Sequence, residues 1–117
     1  MTTENINYPV LTLTEVSRSL SADTHKNADY TVPGVEVKIG HSIADALQSR
    51  LQGLNELALI LKHAHWNVVG PQFIAVHEML DSQTDEVRDF VDEIAERIAT
   101  LGVSPNGLPG NLVAHRQ

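Results

Sequence analysis

The 117-residue chain contains no cysteine. That excludes a disulfide scaffold and every thiolate metal site, so a bound metal would have to be held by nitrogen and oxygen. No apolar run approaches the ~18 residues that a membrane helix needs. The first twenty residues, MTTENINYPVLTLTEVSRSL, lack a basic leader, an unbroken apolar stretch and a small-residue cleavage site. No secretory signal is therefore expected, and the expected location is cytoplasmic with no membrane partner. Basic residues are scarce, 8 Lys and Arg against 15 Asp and Glu, which gives a net charge of −7. Such a chain is no electrostatic match for DNA or an anionic membrane, but it is one for cations. The length is that of one domain, and 42% hydrophobic residues suit an ordinary folded chain.

Residues 1–40 read as an irregular N-terminal arm. They are rich in Thr, Ser and Asn, are broken at Pro9 and Pro33-Gly34, and show no sustained period. Arg18, Lys26 and Lys38 face Glu4, Glu15, Asp23, Asp29 and Glu36, so the arm is net acidic.

The folded domain is expected over 41–117. Ser42 is placed to cap a helix over about 43–68, with Asp45 in its first turn. Ile43, Leu47, Leu51, Leu54, Ala58, Leu61 and His65 recur at three- and four-residue spacings, and Leu57 and Ile60 widen that stripe. Gly70-Pro71 ends it. A second helix is predicted over about 73–101, with Leu80, Thr84, Val87, Val91, Ile94, Ile98 and Leu101 on one side and Thr84 as the weak member. Pro105, Gly107, Pro109 and Gly110 then mark a loop before a short tail, 111–117. The fold class is all-α: an antiparallel hairpin whose apolar stripes are too wide for one interface and call for further helices.

The second helix carries the chemistry. Eight carboxylates lie between Glu78 and Glu96, with Arg88 as the single basic residue among them. Most read as an ordinary solvated face. His77 and Asp81, four apart, can share one ion, and so can Asp92 and Glu96. The two pairs return to within about 20° of one direction, but stand roughly 16 Å apart along the axis. One metal cannot use both from one straight helix. A two-fold axis near Glu86-Val87 would bring Asp92 and Glu96 of one chain beside His77 and Asp81 of another, giving two shared sites per dimer. On the first helix His63 and His65 point about 200° apart, and His65 continues the apolar stripe. His65 is thus either a candidate ligand or a hydrogen-bonded core histidine. Two histidines and three carboxylates suit iron, with zinc and manganese as competitors.

The runs His63-Ala64-His65-Trp66-Asn67-Val68-Val69-Gly70, Phe73-Ile74-Ala75-Val76-His77-Glu78-Met79-Leu80-Asp81 and Asp92-Glu93-Ile94-Ala95-Glu96-Arg97 closely resemble the Dps mini-ferritins, the DNA-protecting proteins of starved cells. The match runs from about Ile43 to Gly110. The resemblance implies a ferritin-like four-helix bundle assembled into a twelve-subunit shell. It also implies that His65, His77 and Asp81 are ligands from one subunit and Asp92 and Glu96 ligands from its two-fold mate. Trp66 would lie beside the site, either packing there or taking up oxidising equivalents. Family members carry two more long helices after the loop ending at Pro109-Gly110. The chain as given ends at Gln117, so it is expected to be the N-terminal half, the first helical hairpin, of a longer protein.

The function so implied is that of a ferroxidase and iron-storage subunit. It would oxidise Fe(II) with peroxide or dioxygen at the shared site and so protect DNA from oxidative damage. Two alternatives differ in kind: a nucleoid-associated DNA-binding protein, which the acidic arm disfavours, and a structural subunit that binds metal without turnover.

Overall fold

The structure, a computed structural model, describes residues 12–13 and 27–116. Three helices lie within 27–116: α1 (Val37–Asn67), α2 (Phe73–Thr100) and the short α3 (Pro109–Ala114). Among the described residues there is no strand, and the chain is an all-α hairpin as its periodicity predicts. Most of the expected irregular arm lies outside the described residues.

α1 begins six residues earlier than its local signals indicate. Glu36, not Ser42, is the N-cap residue, and its side chain makes no capping bond. Tertiary packing supplies the reason. The segment before the helix folds back over the open end of the hairpin, where the Ala28 amide donates to the Gly102 carbonyl at 2.8 Å. His41 Nε2 lies 3.1 Å from the Tyr30 carbonyl, so His41 is a helical residue tied to this segment rather than one preceding the helix. Gly40 is buried against Thr31, where a Cβ would collide with the threonine side chain. Gly102, at φ +89°, lies against the Tyr30 carbonyl, in a backbone conformation that other residues adopt at a cost.

The 31 residues of α1 span about 46 Å. Ala44, Leu51, Ala58 and His65 are buried along it at seven-residue intervals, two helical turns each, which keeps them on one line facing α2. Ile43, Leu57 and Ile60 are 46%, 40% and 54% exposed, so those parts of the apolar stripe are uncovered in this hairpin. Opposite, Thr84 and Ile98 are buried on α2. Thr84 fits because its hydroxyl donates to the Leu80 carbonyl at 2.8 Å, which leaves a methyl and no unpaired polar group at the interface. Ala44, Leu51, Ile98 and Leu101 form the core, with Leu47, Val91, Ile94, Ala95 and the flanking Val32 and Val103 against it. This core sits toward the open end of the hairpin, and the histidines sit at the closed end, beside the α1–α2 turn.

The expected tail differs from what is observed. Pro109, with φ already fixed for a helix, sits in the first turn of the six-residue α3. Gln48 anchors the approach to it: its side-chain amide donates to the Asn106 carbonyl at 2.8 Å and accepts from the Asn106 amide at 2.9 Å. Arg116 pairs with Glu56 of α1 at 2.9 Å. His115 follows α3, with Nδ1 3.0 Å from the Asn111 carbonyl. No described helix is long and apolar enough to cross a membrane.

Candidate metal centre

The turn between α1 and α2 brings the last turn of one helix against the first turn of the next. His65 and His77, twelve residues apart, meet there with ring centroids 3.6 Å apart and planes inclined by 22°. Each ring reaches the other's backbone: His65 Nδ1 is 2.7 Å from the His77 carbonyl oxygen, and His77 Nδ1 is 2.8 Å from that of His65. A carbonyl only accepts, so both Nδ1 atoms carry hydrogen and donate. In the neutral rings that leaves each Nε2 with a free lone pair, the state in which imidazole binds a metal. His65 is therefore hydrogen-bonded and buried, as a core histidine would be, and also has the ring nitrogen of a ligand available. Phe73 tilts against His77 with centroids 5.1 Å apart.

Asp81, one turn beyond His77, is on the same side, and its Oδ1 lies 3.8 Å from His65 Nε2. His65, His77 and Asp81 line one open pocket with Glu78, Ser82 and Asp85. Lys62 of α1 donates to Asp81 Oδ1 at 2.5 Å. That hydrogen bond, followed by the lysine's charge and the nearby His65 and His77, holds the Asp81 carboxyl below the ordinary aspartate range against a smaller opposing effect of desolvation.

Lys62 corrects the view that Arg88 alone answers the acidic residues of α2. The basic partner comes from the other helix, three residues before His65, a spacing that places both on one face. That spacing places Lys62 on the side of His65, while its choice of Asp81 depends on how the two helices meet. Phe73 had a signal of the same kind, since it stands four residues before His77 on the same helix.

The remaining site residues are placed elsewhere. Asp92 and Glu96 are exposed on the C-terminal half of α2, and Glu96 borders a different depression with Leu47, Glu93 and Arg97. Among the described residues of one chain, no three His, Asp or Glu side chains are close enough to hold a metal unaided. His63 is exposed on the other side of α1, where it lines an apolar groove with Leu59, Ile60, Leu112 and Val113. Trp66 is 69% exposed and does not pack into the core of this hairpin.

Residues 44–117 match the ferritin-like domain family. The chain belongs to that family. The resemblance to Dps proteins is borne out among its relatives. The chain is 55% identical over 87 residues to a DNA protection during starvation protein of Mycolicibacterium smegmatis, covering 74% of this chain and 48% of that one. The solved structure of Mycobacterium smegmatis Dps is similar, with a TM-score of 0.73 and 55% identity over 75% of this chain and 50% of that one. DpsA14 from Streptomyces coelicolor gives a TM-score of 0.75 with 56% identity, covering 78% and 54%. A fine tangled pili major subunit of Haemophilus ducreyi is 75% identical along all 117 residues, which make up 62% of that protein. The chain thus spans about half the length of the Dps relatives it matches.

Proposed function

We propose that the chain is part of an iron-binding ferroxidase and iron-storage subunit, with Fe(II) as substrate. The observation that carries this reading is the reciprocal His65–His77 pair, which directs both Nδ1 hydrogens to backbone carbonyls and leaves both Nε2 lone pairs free, that of His65 3.8 Å from Asp81 Oδ1. His65, His77 and Asp81 hold the ion from one chain, and Asp92 and Glu96 of a two-fold-related chain complete the site. The axial separation of roughly 16 Å between the two halves on one helix supports this division.

Carboxylates favour Fe(III) over Fe(II), because fixed anions answer the added cationic charge. Two Fe(II) ions give one electron each to hydrogen peroxide. The O–O bond breaks, and two hydroxide ions leave. With dioxygen as oxidant the demand is for more electrons per molecule. Ferric product then hydrolyses in an acidic enclosure built from further copies of the subunit, a dodecameric shell in the resemblance. DNA is protected by removal of Fe(II) and peroxide together rather than by a basic grip, since the arm is net acidic. The test is ferric absorbance after anaerobic Fe(II) loading and peroxide addition. Wild type is expected to oxidise Fe(II) far faster than a His65→Ala/His77→Ala variant of equal helicity, and equal rates would refute the reading.

A second reading rests on the relative named for fine tangled pili, whose similarity includes the whole of residues 1–40. It makes this chain a structural subunit of a fibre that binds metal without turning it over. Metal binding without oxidation, together with filaments visible by negative-stain electron microscopy, would favour it.

A further inference from the structure

The loop that leads into α3 holds the dipeptide Asn106-Gly107, and no other asparagine of the chain precedes a glycine. The main chain of Asn106 is fully engaged. Its amide donates to Gln48 Oε1 at 2.9 Å, and its carbonyl accepts from Gln48 Nε2 at 2.8 Å and from Asn111 Nδ2 at 3.5 Å. Its side chain is turned along the chain, with Oδ1 accepting from the Leu108 amide at 3.1 Å. A main-chain amide only donates, so this contact fixes which end of the carboxamide is the oxygen. Gly107 is exposed and lies outside any helix, and its amide makes no hydrogen bond among the described residues. With no Cβ at 107, no side chain there screens its nitrogen from the Asn106 carboxamide.

We propose that Asn106 is a site of spontaneous deamidation, and that its conversion to isoaspartate releases α3 from α1. Once the Gly107 amide has lost its proton to solvent base, its nitrogen bonds to Asn106 Cγ. The Leu108 N–H already points at Oδ1, the oxygen that gains negative charge in this step. The Cγ–Nδ2 bond then breaks, and Nδ2 takes protons from solvent and leaves as ammonia. Water opens the resulting five-membered imide at either carbonyl carbon. Opening at Cγ gives aspartate. Opening at the main-chain carbonyl carbon gives isoaspartate, in which the chain runs on through Cβ and Cγ. One water is consumed, one ammonia is released, and no oxidant or reductant is needed.

The two products differ in their effect on the fold. Aspartate keeps the main-chain length and an oxygen for the Leu108 amide, so the double bond to Gln48 stays in place. Isoaspartate lengthens the main chain by a carbon, and its amide and carbonyl no longer match the two ends of one carboxamide. α3 is then tied to α1 by the Arg116–Glu56 pair and by Leu112 and Val113 at the rim of the Leu59–Ile60 groove.

The test is ageing of the full chain in warm, mildly alkaline buffer. Conversion is read by peptide mass spectrometry and by enzymatic methylation of isoaspartate, and release of α3 by limited proteolysis within 107–116. Asn106 is expected to convert at least about tenfold faster than any other asparagine of the chain, and at least about tenfold more slowly in Gly107→Ala. That variant has room, since the new Cβ would lie 3.5 Å from Asn55 Nδ2, an ordinary contact. Aged wild type is expected to be cleaved within 107–116 faster than fresh wild type, whereas aged Gly107→Ala and fresh Asn106→Asp are not. Conversion of Asn106 no faster than that of the other asparagines, or equally fast in Gly107→Ala, overturns the modification site. Isoaspartate formation with no gain in cleavage overturns the release of α3, and rapid cleavage of fresh Asn106→Asp overturns chain lengthening as its cause. If Gly107→Ala loses helicity, Asn106→Gln, whose longer side chain cannot close the five-membered ring, takes its place: a gain in cleavage on ageing of that variant overturns the proposal.

Discussion

His65 and His77 fix each other: each ring donates its Nδ1 hydrogen to the other's main-chain carbonyl, at 2.7 and 2.8 Å, with the two rings stacked at 3.6 Å. Turning either ring gives up its bond to the other's carbonyl at the closed end of the hairpin. The pair clasps the α1–α2 turn, and in the proposed reading it also offers two ring nitrogens to a metal.

The five described histidines should therefore separate by position. His65→Ala and His77→Ala are each expected to lower the rate of Fe(II) oxidation by at least about tenfold. His63→Ala, His41→Ala and His115→Ala should stay near the wild-type rate. His41→Ala removes only the contact to the Tyr30 carbonyl, so its effect belongs to thermal stability. A dead His63→Ala beside a normal His65→Ala would contradict the phase of α1.

The Lys62–Asp81 pair has a defined pH signature in the metal-free chain. The Asp81 carboxyl is held below its ordinary value, so its contribution is present at neutral pH and is lost as pH falls through the folded-state value. The difference in Tm between wild type and Asp81→Asn should accordingly be steady near neutrality and shrink below about pH 4. A difference that grows on acidification would show that Asp81 is not stabilised in its charged form.

The interface between α1 and α2 makes a graded prediction. Leu51 is 1% exposed in the core, and Leu51→Ala is expected to cost about 2–5 kcal/mol in denaturant unfolding. Thr84→Val, which exchanges a hydroxyl bonded within its own helix for a methyl, should change stability by less than about 1 kcal/mol. Equal losses for the two would mean that Thr84 bonds across the interface.

Gly102→Ala should destabilise the chain through both its positive φ and the Tyr30 carbonyl standing where the new methyl would go. The expected loss is about 1 kcal/mol or more in the same assay. Gly53→Ala, at an open helical position, should be neutral or slightly stabilising.

Periodicity made the two long helices legible, together with their antiparallel relation and the inward direction of His65. Those features depend on residue spacing along one helix, which a sequence carries directly. The start of α1 was not legible, because packing of residues 28–31 over Gly40 and Gly102 overrides the Ser42 signal. The helix at Pro109–Ala114 was hidden for a similar reason, being held by Gln48 from more than fifty residues away. At the candidate site, the shared face of His77 and Asp81 follows from a four-residue step. The stacking of His65 on His77 and the choice of Lys62 for Asp81 arise only when two helices meet at a given register.

The central claim is that each metal centre draws His65, His77 and Asp81 from one chain and Asp92 and Glu96 from another. Mixing His65→Ala/His77→Ala chains with Asp92→Ala/Glu96→Ala chains tests it most directly. Each parent alone lacks every intact site, whereas a verified mixed dimer has one site with all its ligands and one with only Asp81. Peroxide-driven Fe(II) oxidation is expected to be absent in both parents and to return in the mixture, up to about half the wild-type rate per mixed dimer. Verified mixed dimers that recover no oxidation would contradict the division of ligands between chains.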